Sequence, residues 1–158
     1  MRKTIIGRDS GSTAPNLHDN WLDLDRLARV EVTSEEHTHP VESALLPDHG
    51  AGWQAAEPGE QVLRVLFDDP RSLRRVLLVF EERERERTQE FVLRWSKDGG
   101  RTYQDLVRQQ FNFSPGGSVR QVEDYGLDLT GVTGLELRIV PDISRGLARA
   151  SLAALRLA

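Results

Sequence analysis

The densest group of side chains able to bind or catalyse lies between Glu35 and Gln54. His37 and His39 stand two apart, with Glu35 and Glu36 before them and His49 ten residues on. If this stretch were a strand, both imidazoles would point to one face, which a metal site or a pH-dependent contact would need. A metal requires three or four converging ligands, and two histidines followed by Pro40 suit ordinary loop residues better. Trp53 follows Gly50-Ala51-Gly52 and precedes Gln54, so it reads either as a cap on the core or as an aromatic wall for a flat apolar ligand face.

Hydrolytic and nucleophilic chemistry finds little support. Gly7-Arg8-Asp9-Ser10-Gly11-Ser12 has the look of a nucleophile loop, but Ser10 precedes every histidine and the chain is too short for the double barrel such a loop needs. Asp68-Asp69 and Glu123-Asp124 are adjacent acids whose side chains would diverge on a strand, whereas a glycosidase needs two facing carboxyls. No phosphate-binding Gly-Lys loop and no His-Glu-x-x-His helix occurs. The absence of Cys removes thiol and zinc-ribbon chemistry and suits a cytoplasmic setting. A net charge of −4 argues against bulk attraction to nucleic acid.

These residues must be positioned by strands, because the dominant apolar period after Leu27 is two. Leu63, Val65 and Phe67 alternate with more polar neighbours, as do Phe91, Leu93 and Trp95, and Leu135, Leu137 and Ile139. Turn residues separate the runs at Asp68-Asp69-Pro70, Lys97-Asp98-Gly99-Gly100, Ser114-Pro115-Gly116-Gly117, Thr130-Gly131 and Pro141-Asp142. Asp98-Gly99 is the strongest hairpin signal. Strands are expected near 27–33, 61–67, 73–81, 89–96, 102–113, 119–128, 134–140 and 150–157, with a short helical turn near 40–46. About eight strands and almost no helix predict an all-β, antiparallel jelly-roll β-sandwich. Residues 1–25 read as a polar leader before a domain over 26–158, with Trp21-Leu22-Asp23-Leu24 as its docking point. The run Glu81–Arg87, alternating in sign without an apolar residue, reads as a solvated tip or an electrostatic partner contact. No run approaches the length of a membrane span.

Three stretches in order carry a resemblance. They are Val32–Glu36 with His39–Leu45, Gly52-Trp53 with Gly59–Phe67, and Phe91–Tyr103 with its Ser-x-Asp-Gly hairpin; Ala150–Leu157 sits where a last strand would return. Together they resemble the galactose-binding-like β-sandwich superfamily, particularly its discoidin or coagulation-factor type C domains. The resemblance implies a non-catalytic module whose loops, here near 34–40, 46–54 and 114–118, bind a ligand at one end of the sandwich. It makes His37, His39, His49, Trp53 and Gln54 the candidate ligand-binding residues and a carbohydrate or carbohydrate-like molecule the expected ligand. A protein-interaction scaffold is the alternative. Many such domains hold a structural calcium beside the stretch corresponding to Ala44–Trp53. Here Asp48 is followed by His49 and residues 150–158 contain no acid, so no cofactor is expected and Asp48 is the single candidate ligand. Trp53–Glu60 is also similar to the N-terminal domain of the single-strand-break repair scaffold, which implies a polymerase and nicked DNA as partners. The net charge ranks nucleic acid below the other partners.

Overall fold

A computed structural model describes residues 20–158. The Gly7–Ser12 stretch and most of the expected leader lie outside the described residues. The elements run α1 (Leu24–Leu27), β1 (Ala28–Val32), α2 (Glu42–Leu45), β2 (Trp53–Pro58), β3 (Gln61–Glu81), β4 (Arg87–Ser96), β5 (Gln104–Phe113), β6 (Arg120–Val140), β7 (Arg149–Leu152) and β8 (Ala154–Leu157). Every strand pairing is antiparallel. The expected all-β sandwich, with α2 inside the expected helical turn, is the observed one.

Two long strands organise the layers. The first part of β3 pairs with β1 and with the last part of β6, which continues to β4 and then β5. The second part of β3 pairs with the first part of β6 and with β8. Between them the register jumps from Leu66↔Gly134 to Arg71↔Val132. The expected breaks at Asp68-Asp69-Pro70 and Thr130-Gly131 are therefore bends within continuous strands. Proline removes a ladder donor and Gly131 takes φ +68°, so both suit a bulge at which a strand crosses from one layer to the other. Across the core, Phe80 of β3 stacks on Phe91 of β4 with ring centroids 5.4 Å apart.

Alternation explains most of the core. Leu63, Val65, Leu78, Phe80, Phe91, Leu93, Leu135, Leu137 and Ile139 form one buried cluster. The middle of β3 is buried on both faces, because Leu77 and Val79 join Ala154 in a second cluster on the far side. Trp21 packs against that cluster, Arg75 lies 4.7 Å over its ring, and the Leu22 amide donates to Leu157 O at 2.7 Å.

The outer face of the five-stranded layer carries a charge ladder. Glu31, Arg64, Glu136, Arg94 and Asp105 stand in register across β1, β3, β6, β4 and β5, with successive ion pairs of 3.6, 2.9, 3.4 and 2.9 Å. Alternating signs make every cross-strand neighbour attractive. Both guanidinium groups also lie over the Tyr103 ring. Roofed in this way, Glu136 is only 1% exposed although it points away from the core.

Three expectations are corrected. The stretch 150–157 is two strands rather than one, because the chain changes partner at Ala153: Leu152 pairs with Trp53 and Ala154 with Val79. Strand β2 was not expected, since Ala55-Ala56-Glu57-Pro58 has low strand propensity, and its pairing with β7 supplies the order instead. Arg87 is not part of a solvated tip. It is buried, its Nε donating to Glu82 Oε1 at 2.8 Å and its Nη1 to Pro141 O at 2.7 Å, with Phe113 under the guanidinium.

Candidate functional site

One end of the sandwich gathers the segments that follow β1, precede β2 and link β3 to β4. Gln54 joins them through its backbone. Its carbonyl accepts from the Glu36 amide at 2.8 Å and its amide donates to His39 O at 3.1 Å, while the His39 amide closes the turn on Glu36 O. Residues 36–39 are thus a tight turn pinned to the start of β2. His37 and His39 consequently do not share a strand face: His37 is exposed and His39 is half-buried against β2.

Beside this turn lies an open cleft of about 270 Å³. His39, Ala51, Trp53 and Gln54 form one side, Ser151–Ala153 and Arg149 the floor, and Glu81–Glu84 the opposite side. It adjoins a second cleft of about 280 Å³ that shares Gln54, Glu82, Glu84 and Arg149 and reaches Arg85 and Leu147. Together they make a groove lined mainly by planar polar groups. Half of its charges are matched: Glu82 with Arg87, Glu81 with Arg120 at 3.6 Å, and Arg149 with Glu36 at 3.2 Å. Arg83, Glu84 and Arg85 enter no ion pair among the described residues.

The predicted residues divide. His39 and Gln54 meet in the cleft. His37 and His49 do not line it; His49 is exposed, with Nδ1 2.8 Å from Pro47 O. The 114–118 segment does not line it either. Trp53 borders the cleft but offers no stacking surface, because it is 1% exposed and its indole N–H donates to Ser34 O at 3.0 Å. It is the cap of the two readings. Asp48 is exposed at a left-handed position (φ 60°), and no three His, Cys, Asp or Glu side chains converge as a metal-binding group among the described residues. Calcium, which takes six to eight oxygens, does not fit that donor set.

Sequence reasoning missed Arg149 and Ser151 as site residues and did not connect the Glu81–Arg87 run to the His39–Gln54 loop. The signal for β7 was present: Arg149 and Ser151 alternate with buried Ala150 and Leu152. What faces them across the cleft depends on pairing with β2, which lies roughly a hundred residues earlier in the chain.

No protein-family model and no curated protein matches the chain by sequence. Solved structures do match by shape. One is a pectin-binding carbohydrate-binding module, 17% identical with TM-score 0.61, covering 84% of this chain and 90% of that one. Another is the family 32 module of Clostridium perfringens NanJ in complex with galactose, 14% identical with TM-score 0.59, covering 82% and 92%. A third is a chitosan-binding module of a Paenibacillus chitosanase/glucanase, 14% identical with TM-score 0.56, covering 85% and 97%. At these identities the likeness is one of architecture: the chain has the galactose-binding-like β-sandwich fold shared by family 32 carbohydrate-binding modules.

Proposed function

We propose that this chain is a non-catalytic carbohydrate-binding module that takes its ligand in the groove between Glu81–Arg85 and the β2/β7 edge. The observation that carries this reading is the lining. His39, Gln54, Glu82, Glu84, Arg149 and Ser151 combine donors and acceptors within one shallow cleft. A sugar hydroxyl both donates and accepts, so matched sets of planar amide, carboxylate and guanidinium groups suit it. The fold supports the same reading, since solved neighbours are named for binding pectin, galactose and chitosan.

With Trp53 buried, affinity rests on hydrogen bonds and on the exposed Leu147 rather than on aromatic stacking. At roughly 1 kcal/mol net per hydrogen bond, four or five such contacts give a Kd of about 0.1–1 mM. Titration of the labelled protein with galactose, galacturonate and glucosamine oligosaccharides, followed by amide chemical shifts, tests this. Shifts centred on Gln54, Glu84 and Arg149, lost in Gln54→Ala, support it. A blank across the panel refutes it. The scaffold reading predicts instead a protein partner that is lost when residues 83–86 become Gly-Ser, with no response to sugars.

A further inference from the structure

The cleft wall formed by Ala51 and Trp53 is the end of a long, turn-rich segment, Val41–Trp53. Beyond α2 it carries three residues in the left-handed region, Asp48 (φ 60°), Gly50 (φ 113°) and Gly52 (φ 100°). Such a segment has few backbone bonds of its own and needs an outside tie to hold one shape. The last two strands supply one each. Gly52 lies against β7, where a Cβ would come 2.6 Å from Leu152 O. Arg156 of β8 turns its side chain inward beneath α2.

Arg156 is 6% exposed, an unusual place for a guanidinium with no carboxylate bonded to it. Its Nη1 donates to Ala44 O at 2.7 Å and to Leu155 O at 2.9 Å. Ala44 O is one of the final carbonyls of α2, which the helical turn itself leaves without a partner. Arg156 Nε is buried and has no partner at all. Burial works against the charged form here, and the Asp48 carboxylate acts in the opposite direction. This strand therefore presents a buried positive charge, bonded to the Ala44 carbonyl of α2, at the segment where the fold's relatives are expected to place calcium. No metal-binding group of acidic or imidazole side chains stands there among the described residues, and a tethered cation is present in its stead.

We infer that the Arg156 guanidinium, rather than a metal ion, ties the Val41–Trp53 segment to β8 and so sets one wall of the cleft. The segment's order is then metal-independent. The inference does not depend on what the cleft binds, and its test uses no sugar. Thermal melts of the full chain are recorded in excess EDTA and in millimolar calcium chloride, and amide hydrogen exchange is measured for the wild type, Arg156→Met and Arg156→Lys. The expected result is superimposable wild-type melts in EDTA and calcium. Exchange across residues 44–52 should rise about tenfold or more in Arg156→Met, with a smaller rise in Arg156→Lys, which keeps the charge without the fork. A wild-type melt lowered by EDTA or raised by calcium overturns the inference, and this arm stands even if Arg156→Met fails to fold. Unchanged exchange over 44–52 in both variants overturns it equally.

Discussion

Replacing Glu136 by Gln isolates the charge at the centre of the ladder while keeping its shape. The carboxylate accepts from Arg64 Nε at 2.9 Å, Arg94 Nη1 at 3.4 Å and Arg138 Nη2 at 3.4 Å. Burial alone would raise its pKa, but the Arg64 hydrogen bond and the charges of Arg138, Arg64 and Arg94 outweigh it and hold the group below the ordinary value. Removing one partner of a buried ion pair costs about 3–5 kcal/mol. The three guanidinium side chains are 30–39% exposed, so water recovers part of that, and we expect about 2 kcal/mol. For a chain of this length this is a Tm drop of roughly 4–8 °C. A depressed carboxylate stabilises above its unfolded pKa, near 4.5, and the contribution is lost as pH falls through the lower folded value. Urea titrations of both proteins at pH 7 and through the acid range measure this. The gap should be widest at neutral pH and narrow on acidification. A variant within about 0.5 kcal/mol of wild type at pH 7, or a gap that does not narrow, would refute the reasoning.

Three further outcomes follow from the same geometry. Trp53→Ala should lose about 3–5 kcal/mol in urea titration, because a fully packed indole is replaced by a cavity; a near-neutral result would mean that Trp53 is not core. Gly52→Ala should lower the melting temperature through its left-handed φ of +100° and the 2.6 Å approach to Leu152 O, whereas Gly59→Ala, with open space around it, should cost less. Asp98 is held well below the usual carboxylate range by hydrogen bonds from the Thr102 hydroxyl and amide, then from Ser96 and the Arg101 amide. Asp98→Ala should therefore speed exchange of the Thr102 and Arg101 amides above pH 4, and the wild-type turn should loosen only as pH falls below about 3.8.

Which parts were legible from the chain follows from where the ordering forces act. Period-two alternation marked the first part of β3, β4 and the last part of β6, because alternate side chains of those strands fill the core and the sequence records it. The Ser96–Asp98–Gly99 hairpin was legible because its bonds are local: Asp98 Oδ1 accepts from Ser96 Oγ and from the Arg101 and Thr102 amides. Strand β2 was not legible, since Ala55 and Ala56 carry no strand preference and β7 decides their conformation. The bends at 67–70 and 130–133 looked like loops because turn residues serve a bulge as well as a loop. Glu136 alternates with core-facing Leu135 and Leu137, and the register of Arg64 and Arg94 on the neighbouring strands, with Arg138 on its own, buries it. The site was half legible: His39 and Gln54 are local neighbours of Trp53, whereas Arg149 and Glu82–Glu84 reach them only through the fold.

The central claim is that a polar groove, built where the 36–39 turn, β7 and the 81–85 segment meet, binds sugar without aromatic stacking. Amide shift mapping with a panel of galacto-, uronic and glucosamine oligosaccharides tests it most directly. The account predicts saturable shifts at Gln54, Glu84, Arg149 and Ser151, with a Kd of about 0.1–1 mM, abolished by Gln54→Ala and Arg149→Ala while the melting temperature holds. Saturable shifts confined to another face of the sandwich, or none with any sugar, would contradict it.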